Sequence, residues 1–192
     1  MGVMFIQSGR FAPAGFSTIT DSFNRADSTS SVGTTDTGQA WSTLSGTCGI
    51  SSNEFYASAV TGAQACAVID SGITDVRVKV TPTVFSSNRY IGVVGRCVDD
   101  SNYYLAQADT ASSSLYKKVA GAFTQLGGFG AAAVAGDVLE LRCVGTTISL
   151  YLNGSSLISV TDSSLTTGKK CGIRIGSSAT VPRCDTFAVE AG

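Results

Sequence analysis

Through most of this chain the apolar residues fall at every second position, and the three-then-four spacing of an amphipathic helix is nearly absent. Successive side chains of an extended strand point to opposite faces, so this alternation buries one face of a sheet and wets the other. In DVRVKV, Val76, Val78 and Val80 face one way while Arg77 and Lys79 face the other. In VLELRCVGTTISLYLNG, Leu139, Leu141 and Cys143 alternate with Glu140 and Arg142, Gly145 and Thr146 turn the chain, and Ile148, Leu150 and Leu152 alternate with Ser149 and Tyr151. Asn153-Gly154 makes a second turn into a strand at 157–160, with Ile158 and Val160 inward. Further strands are expected near 18–23, 40–44, 48–50, 54–58, 65–69, 90–97, 103–108, 114–119, 122–126, 170–175 and 185–190, with 131–135 a connecting loop. Short strands broken by turns every roughly 8–12 residues predict an all-β fold, a sandwich or a barrel with apolar inner faces.

At 192 residues the chain suits one domain, which buries roughly 70% of the surface of its unfolded form. Charged residues make up 14% and the formal net charge is −1, with no run of Lys or Arg, so nucleic acid is not an expected partner. Histidine is absent, which removes the usual general base and the commonest metal ligand. The six cysteines, at 48, 66, 97, 143, 171 and 184, show no CxxC spacing and fall mostly inside apolar strand patterns, where a free thiol behaves as a small hydrophobe. An even count leaves disulfides open in an oxidising compartment. No 18 uncharged apolar residues run together, so membrane insertion is not expected. The apolar run Val3–Ile6 is too short for a signal-peptide core, and Ile6 stands where a myristoylation motif needs Ser or Thr. Residues 1–16 lack strand alternation yet carry Phe5, Ile6, Phe11 and Phe16; they are expected to form an N-terminal extended arm that packs on a neighbouring subunit, making a homo-oligomer, with the domain proper at 17–192.

From residue 21 onward the motifs DSFNRADS, GQAWSTLSGTCGISSNEFYAS, GRCVDDSNYYLAQAD, GDVLELRCVGTTISLYLNG, VTDSSLTTGKKCGIRIG and CDTFAVEA follow one another in an order that resembles concanavalin A-like lectin/glucanase domains. The likeness is to the laminin-G-like versions of bacterial secreted proteins and bacteriophage virion proteins, and it implies a two-sheet antiparallel jelly-roll sandwich. It also implies a buried Trp41. Glucanases of that superfamily carry a strand motif of the type Glu-x-Asp-x-x-Glu, which this chain lacks. Glu54, Glu140 and Glu190 stand apart from other acids at that spacing, so no enzymatic activity is expected. The resemblance points to a non-enzymatic virion structural protein of a tailed bacteriophage, a minor tail or capsid-decoration subunit. Such a protein is made in the host cytoplasm without a signal peptide, meets other virion subunits through the arm, and displays its jelly roll for adhesion to glycan or a host surface. The alternative is a carbohydrate-binding module of a secreted bacterial protein.

Among individual residues, Asp99, Asp100 and Asn102 gather oxygens on a turn and are calcium candidates, although a calcium site needs six or more oxygens and the plainer reading is a turn bonded to its own backbone. No other cofactor is expected. Tyr103, Tyr104, Tyr116 and Tyr151, with Arg142, are the glycan-site candidates, since rings flanked by polar groups stack on sugars; Tyr116 and Tyr151 have the parity that faces away from the core. The plainer reading makes them cross-strand pairs on a wet face. Arg77, Lys79, Arg96, Lys118 and Arg142 are outward by parity and either meet an anionic glycan or are simply solvated. Asp162 reads as a turn residue.

Overall fold

The computed structural model describes residues 15–85, 89–176 and 181–192. One sheet runs in the order β13 (Ser155–Thr161), β12 (Thr147–Leu152), β11 (Leu139–Val144), β6 (Val76–Val84), β15 (Arg183–Ala191), β4 (Glu54–Ala59), β3 (Thr47–Ser51), with β1 (Ile19–Asp21) paired to β15. The second runs β10 (Ala122–Phe129), β9 (Ser113–Val119), β8 (Asn102–Ala108), β7 (Tyr90–Asp99), β14 (Lys170–Gly176), β5 (Gln64–Asp70), β2 (Ser42–Ser45). Every strand pairing among the described residues is antiparallel; consecutive hairpins (β7 to β10, β11 to β13, β3–β4) are joined by long-range pairings such as β6–β11, β6–β15 and β7–β14, as in a jelly roll.

The alternation read from the sequence builds this sandwich directly. Val76, Val78 and Val80 of β6 pack inward against Leu139, Leu141 and Cys143 of β11 and Ile148 and Leu150 of β12, all without exposed surface. The opposite sheet supplies Ile91, Val93, Ala106, Leu115, Ile173 and Ile175 to the same core. The hairpin register is Leu139↔Leu152, Leu141↔Leu150 and Cys143↔Ile148. The turn between β12 and β13 places Asn153 and Gly154 at φ 52° and 78°, the left-handed pair that a tight hairpin needs. All six cysteines are free and buried. Burial pushes the thiols of Cys48, Cys97 and Cys171 up to about 12.

The opening motif has a physical job. Asp21, 1% exposed, accepts hydrogen bonds from Arg25 Nη2 (2.6 Å), Trp41 Nε1 (2.7 Å) and its own neighbour's amide, Phe23 N. Trp41 is half-buried and rests on the core, with ring centroids 4.9 Å from Phe187 and 5.8 Å from Phe55. Asp27 caps the Ser52 amide at the β3–β4 turn. The sequence motif is therefore a clamp that closes one end of the sandwich. Phe16, expected in the arm, is half-buried against this chain's own core, while Phe5, Ile6 and Phe11 lie outside the described residues.

Arg96 departs from its expected outward parity. A bulge in β7 puts it at φ 45° and turns its side chain inward, 2% exposed, where it bonds Thr74 O, Leu165 O and Asp75 Oδ1. Asp162 does more than turn the chain. Its carboxylate accepts from Tyr104 Oη (2.6 Å), Lys117 Nζ (2.6 Å) and Ser164 N (2.9 Å), tying the loop after β13 to β8 and β9. Partial burial opposes ionisation there, but these donors outweigh it and hold the carboxyl far below its ordinary range.

Candidate functional site

The five residues singled out as a glycan site do not come together as one site, although Arg142 and Tyr151 touch. Tyr103 and Tyr104 have no exposed surface, because β8 is a central strand covered on both faces. Tyr104 points into the main core, and Tyr103 joins a second apolar cluster with Cys66, Val68, Val94, Cys97 and Leu105 on the other face of the seven-stranded sheet. Neither ring is available to a ligand from solvent. Tyr151 and Arg142 do point outward, as parity predicts, but from the eight-stranded sheet. There the Arg142 guanidinium lies 3.6 Å from the Tyr151 ring centroid and holds both oxygens of Glu140. Arg77 and Lys79 complete a charge network with Glu140 and Glu190. Burial of Glu140 opposes its ionisation, yet the bonds from Arg142 and Arg77 outweigh it and keep the carboxyl below its usual value. That face is self-satisfied.

Tyr116, the remaining candidate, lies on the outer face of the seven-stranded sheet in a different setting. A cleft of about 170 Å³, open to solvent on one side, is lined by Leu105, Gln107, Tyr116, Phe123 and Arg174. Leu105, 1% exposed, is its apolar floor; Phe123, 44% exposed, stands at the rim on the edge strand β10. The Phe123 ring meets Tyr116 edge-on at 6.2 Å and Tyr103 at 6.1 Å. Lys118 places its ammonium 5.2 Å from the Phe123 centroid and 5.4 Å from that of Tyr103, and donates to the Asp100 carbonyl. Its 8% exposure reflects this folded-down pose, and the cation expected to be free is spent beneath the rim.

The polar wall follows from register. Gly92 of β7 lies opposite Gln107 of β8 on one side and Arg174 of β14 on the other. A Cβ there would sit 2.5 Å from Leu105 Cδ1 and 3.2 Å from Gln107 Cβ, so glycine lets the flanking side chains close over it. Arg174 Nη1 donates to Gln107 Oε1 at 3.1 Å and Arg174 Nε donates to Gln64 Oε1 at 2.9 Å. Gln64 in turn donates to Ser45 Oγ and Asp100 Oδ1. Arg174 is half-buried and its guanidinium lies 5.5 Å from the Phe123 centroid. An aromatic rim, an apolar floor and a fixed row of amide and guanidinium groups can accept a flat, polyhydroxylated ring.

Phe123, Gln107, Gln64 and Arg174 were not singled out from the sequence. Alternation in GIRIG gives Arg174 its outward direction, but no local pattern says that β14 sits beside β7 or that Gly92 leaves room for the contact. The calcium candidates are engaged by protein donors, Asp99 within the turn, Asp100 by Gln64 and Asn102 by Ala120. Asp99 Oδ1 accepts from Ser101 N and Asn102 Nδ2, and Asn102 Oδ1 accepts from Ala120 N. The bond from the Asn102 side chain, followed by that from Ser101 N, holds the Asp99 carboxyl below its usual value.

The two antiparallel sheets and their strand order give the chain a concanavalin A-like jelly-roll fold. Its structure is similar to that of the carbohydrate binding module CBM66 from Bacillus subtilis, with a TM-score of 0.59 and 18% identity over 79% of this chain and 95% of that one. It is also similar to the Bacillus licheniformis β-glucanase, with a TM-score of 0.56 and 11% identity over 91% and 98% of the two chains. The Caenorhabditis elegans galectin LEC-6 gives a TM-score of 0.51 and 15% identity over 73% and 99%. No protein-family model and no curated protein matches the sequence.

Proposed function

We propose that this domain binds glycan without cleaving it, through the cleft on the outer face of the seven-stranded sheet. The observation that carries the reading is the joining of Tyr116 and Phe123 to Gln107 and Arg174 over Leu105. Rings offer a stacking face to a sugar, and the fixed amide and guanidinium groups offer partners to its hydroxyls. The likeness to a carbohydrate binding module and a galectin supports this choice. Glycan binding is what the secreted-module expectation requires, and it is one of the two adhesive roles, glycan or host surface, expected of a virion subunit.

Glycoside hydrolysis needs two carboxyl groups flanking one bond, and none of the residues lining the cleft is a carboxylate. Glu54, Glu140 and Glu190 belong to β4, β11 and β15 of the other sheet, where each meets an arginine. A glycan microarray probed with the labelled domain tests the proposal. The wild type is expected to retain a defined subset of glycans, and the double variant Tyr116→Ala/Phe123→Ala to lose them while keeping its thermal midpoint within a few degrees. Retention undiminished in the double variant would overturn the assignment of the site, and release of reducing ends from a bound glycan would overturn the non-catalytic reading.

A further inference from the structure

The arginines of this sandwich divide by what they face. Arg25, Arg77, Arg96, Arg142 and Arg183 each meet a carboxylate, at 2.6 to 3.4 Å. Arg174 meets none among the described residues. Its two protein acceptors are the neutral amide oxygens of Gln64 and Gln107, which fix the guanidinium plane without neutralising it. No hydrogen bond of Nη2 to a described residue accompanies these two, and Arg174 lines the cleft. Arg174 is the only charged residue among those lining the cleft, and it is half-buried over an apolar floor. A partly desolvated cation held rigidly without a counter-charge is compensated most strongly by an anion that enters the site.

We propose that the glycan held by this cleft is acidic, a uronate or other carboxylate-bearing sugar, and that Arg174 receives the carboxylate while Tyr116 and Phe123 take the ring. This inference rests on the glycan-binding reading and adds its ligand class. The planar fork of a guanidinium matches the two oxygens of a carboxylate, and with the orientation set in advance by Gln64 and Gln107 little rotamer freedom is lost on binding. A neutral sugar would leave the cation uncompensated. A carboxylate turns the same group into the strongest contact of the site.

The test uses the whole chain and paired oligosaccharides in which only the charge changes. Oligogalacturonate, hyaluronan and alginate oligomers are each compared with their carboxyl-reduced counterparts by isothermal titration calorimetry. At least one acidic oligomer is expected to bind about tenfold or more tightly than its reduced partner. That preference should weaken as salt rises and collapse towards unity in Arg174→Gln. Arg174→Lys, which keeps the charge and loses the fork, should retain part of the preference and guards against a folding defect in the first variant. Arg142→Gln, on the opposite sheet, should leave the preference intact. Equal affinity of wild-type protein for acidic and reduced oligomers would overturn the inference while leaving the glycan-binding reading standing, as would a preference that survives Arg174→Gln or disappears in Arg142→Gln. Binding of no glycan, on these oligomers or on the array, would remove the function itself and the inference with it.

Discussion

Gln107 Oε1 accepts a hydrogen bond from Arg174 Nη1 at 3.1 Å across Gly92, a residue with no side chain to keep them apart. The contact joins two strands that lie 67 positions apart in sequence and fixes the cation of the cleft before any ligand arrives. Preorganisation of this kind lowers the entropy lost on binding.

Removing Gln107 should therefore cost affinity more than stability. Gln107→Ala is expected to weaken binding of an array-selected glycan by about five- to tenfold, the equivalent of one ordinary hydrogen bond. The denaturant midpoint should move little, since the amide packs at the edge of the cleft. Calorimetry on the two proteins checks both halves.

Tyr103 and Tyr104 are neighbours on β8 with opposite fates. Tyr104 Oη donates to Asp162 and accepts from Leu165 N, whereas the buried Tyr103 Oη has no protein partner among the described residues. Tyr104→Phe is expected to destabilise the fold by about 1–3 kcal/mol, and Tyr103→Phe to be neutral or stabilising. Urea titrations of the two variants check the asymmetry, and equal losses would place the hydroxyls wrongly.

Acid should unfold the domain partly through Asp162. Its carboxyl is held below its ordinary value of 3.8 in the folded state, so the stability it contributes is present above that value and is lost as pH falls through the folded one. Glu140 acts in the same direction. The wild-type thermal midpoint should drop steeply between about pH 5 and about pH 2. Asp162→Asn should be less stable at neutral pH and flatter below it, so that the two curves converge in acid.

How far the fold is legible in the sequence depends on the range of the cause. Strand identity and facing are set by alternation within a few residues, and Val76 to Val80, Leu139 to Leu152 and the Asn153-Gly154 turn all stand as that pattern requires. Parity also placed Tyr116 and Tyr151 outward. What parity cannot carry is which sheet a strand joins, so two outward tyrosines came to lie on opposite sides of the sandwich. It fails again at Arg96, where a bulge in β7 changes the facing. Tyr103 has outward parity and is still buried, because Phe123 and Lys118 from neighbouring strands fold over it. The cleft depends on β14 pairing with β7, and that contact is long-range.

The register of the β11–β12 hairpin has its own test. Leu150→Ala is expected to destabilise by about 2–5 kcal/mol, because the side chain is fully buried between the sheets. Ser149 faces the other way and bonds the exposed Ser159 hydroxyl at 2.9 Å, so Ser149→Ala should cost about 1 kcal/mol or less. Similar midpoint shifts for the two would mean the register is misplaced.

The central claim, a glycan site on the seven-stranded sheet, is tested most directly by backbone-amide NMR of the isotope-labelled domain titrated with the tightest-binding glycan from the array. The account predicts progressive shifts confined to Gln107, Tyr116, Phe123, Arg174 and their strand neighbours, with Arg142 and Tyr151 unmoved. Shifts centred instead on Arg142 and Tyr151, or shifts that leave Phe123 and Arg174 unaffected at saturation, would contradict it.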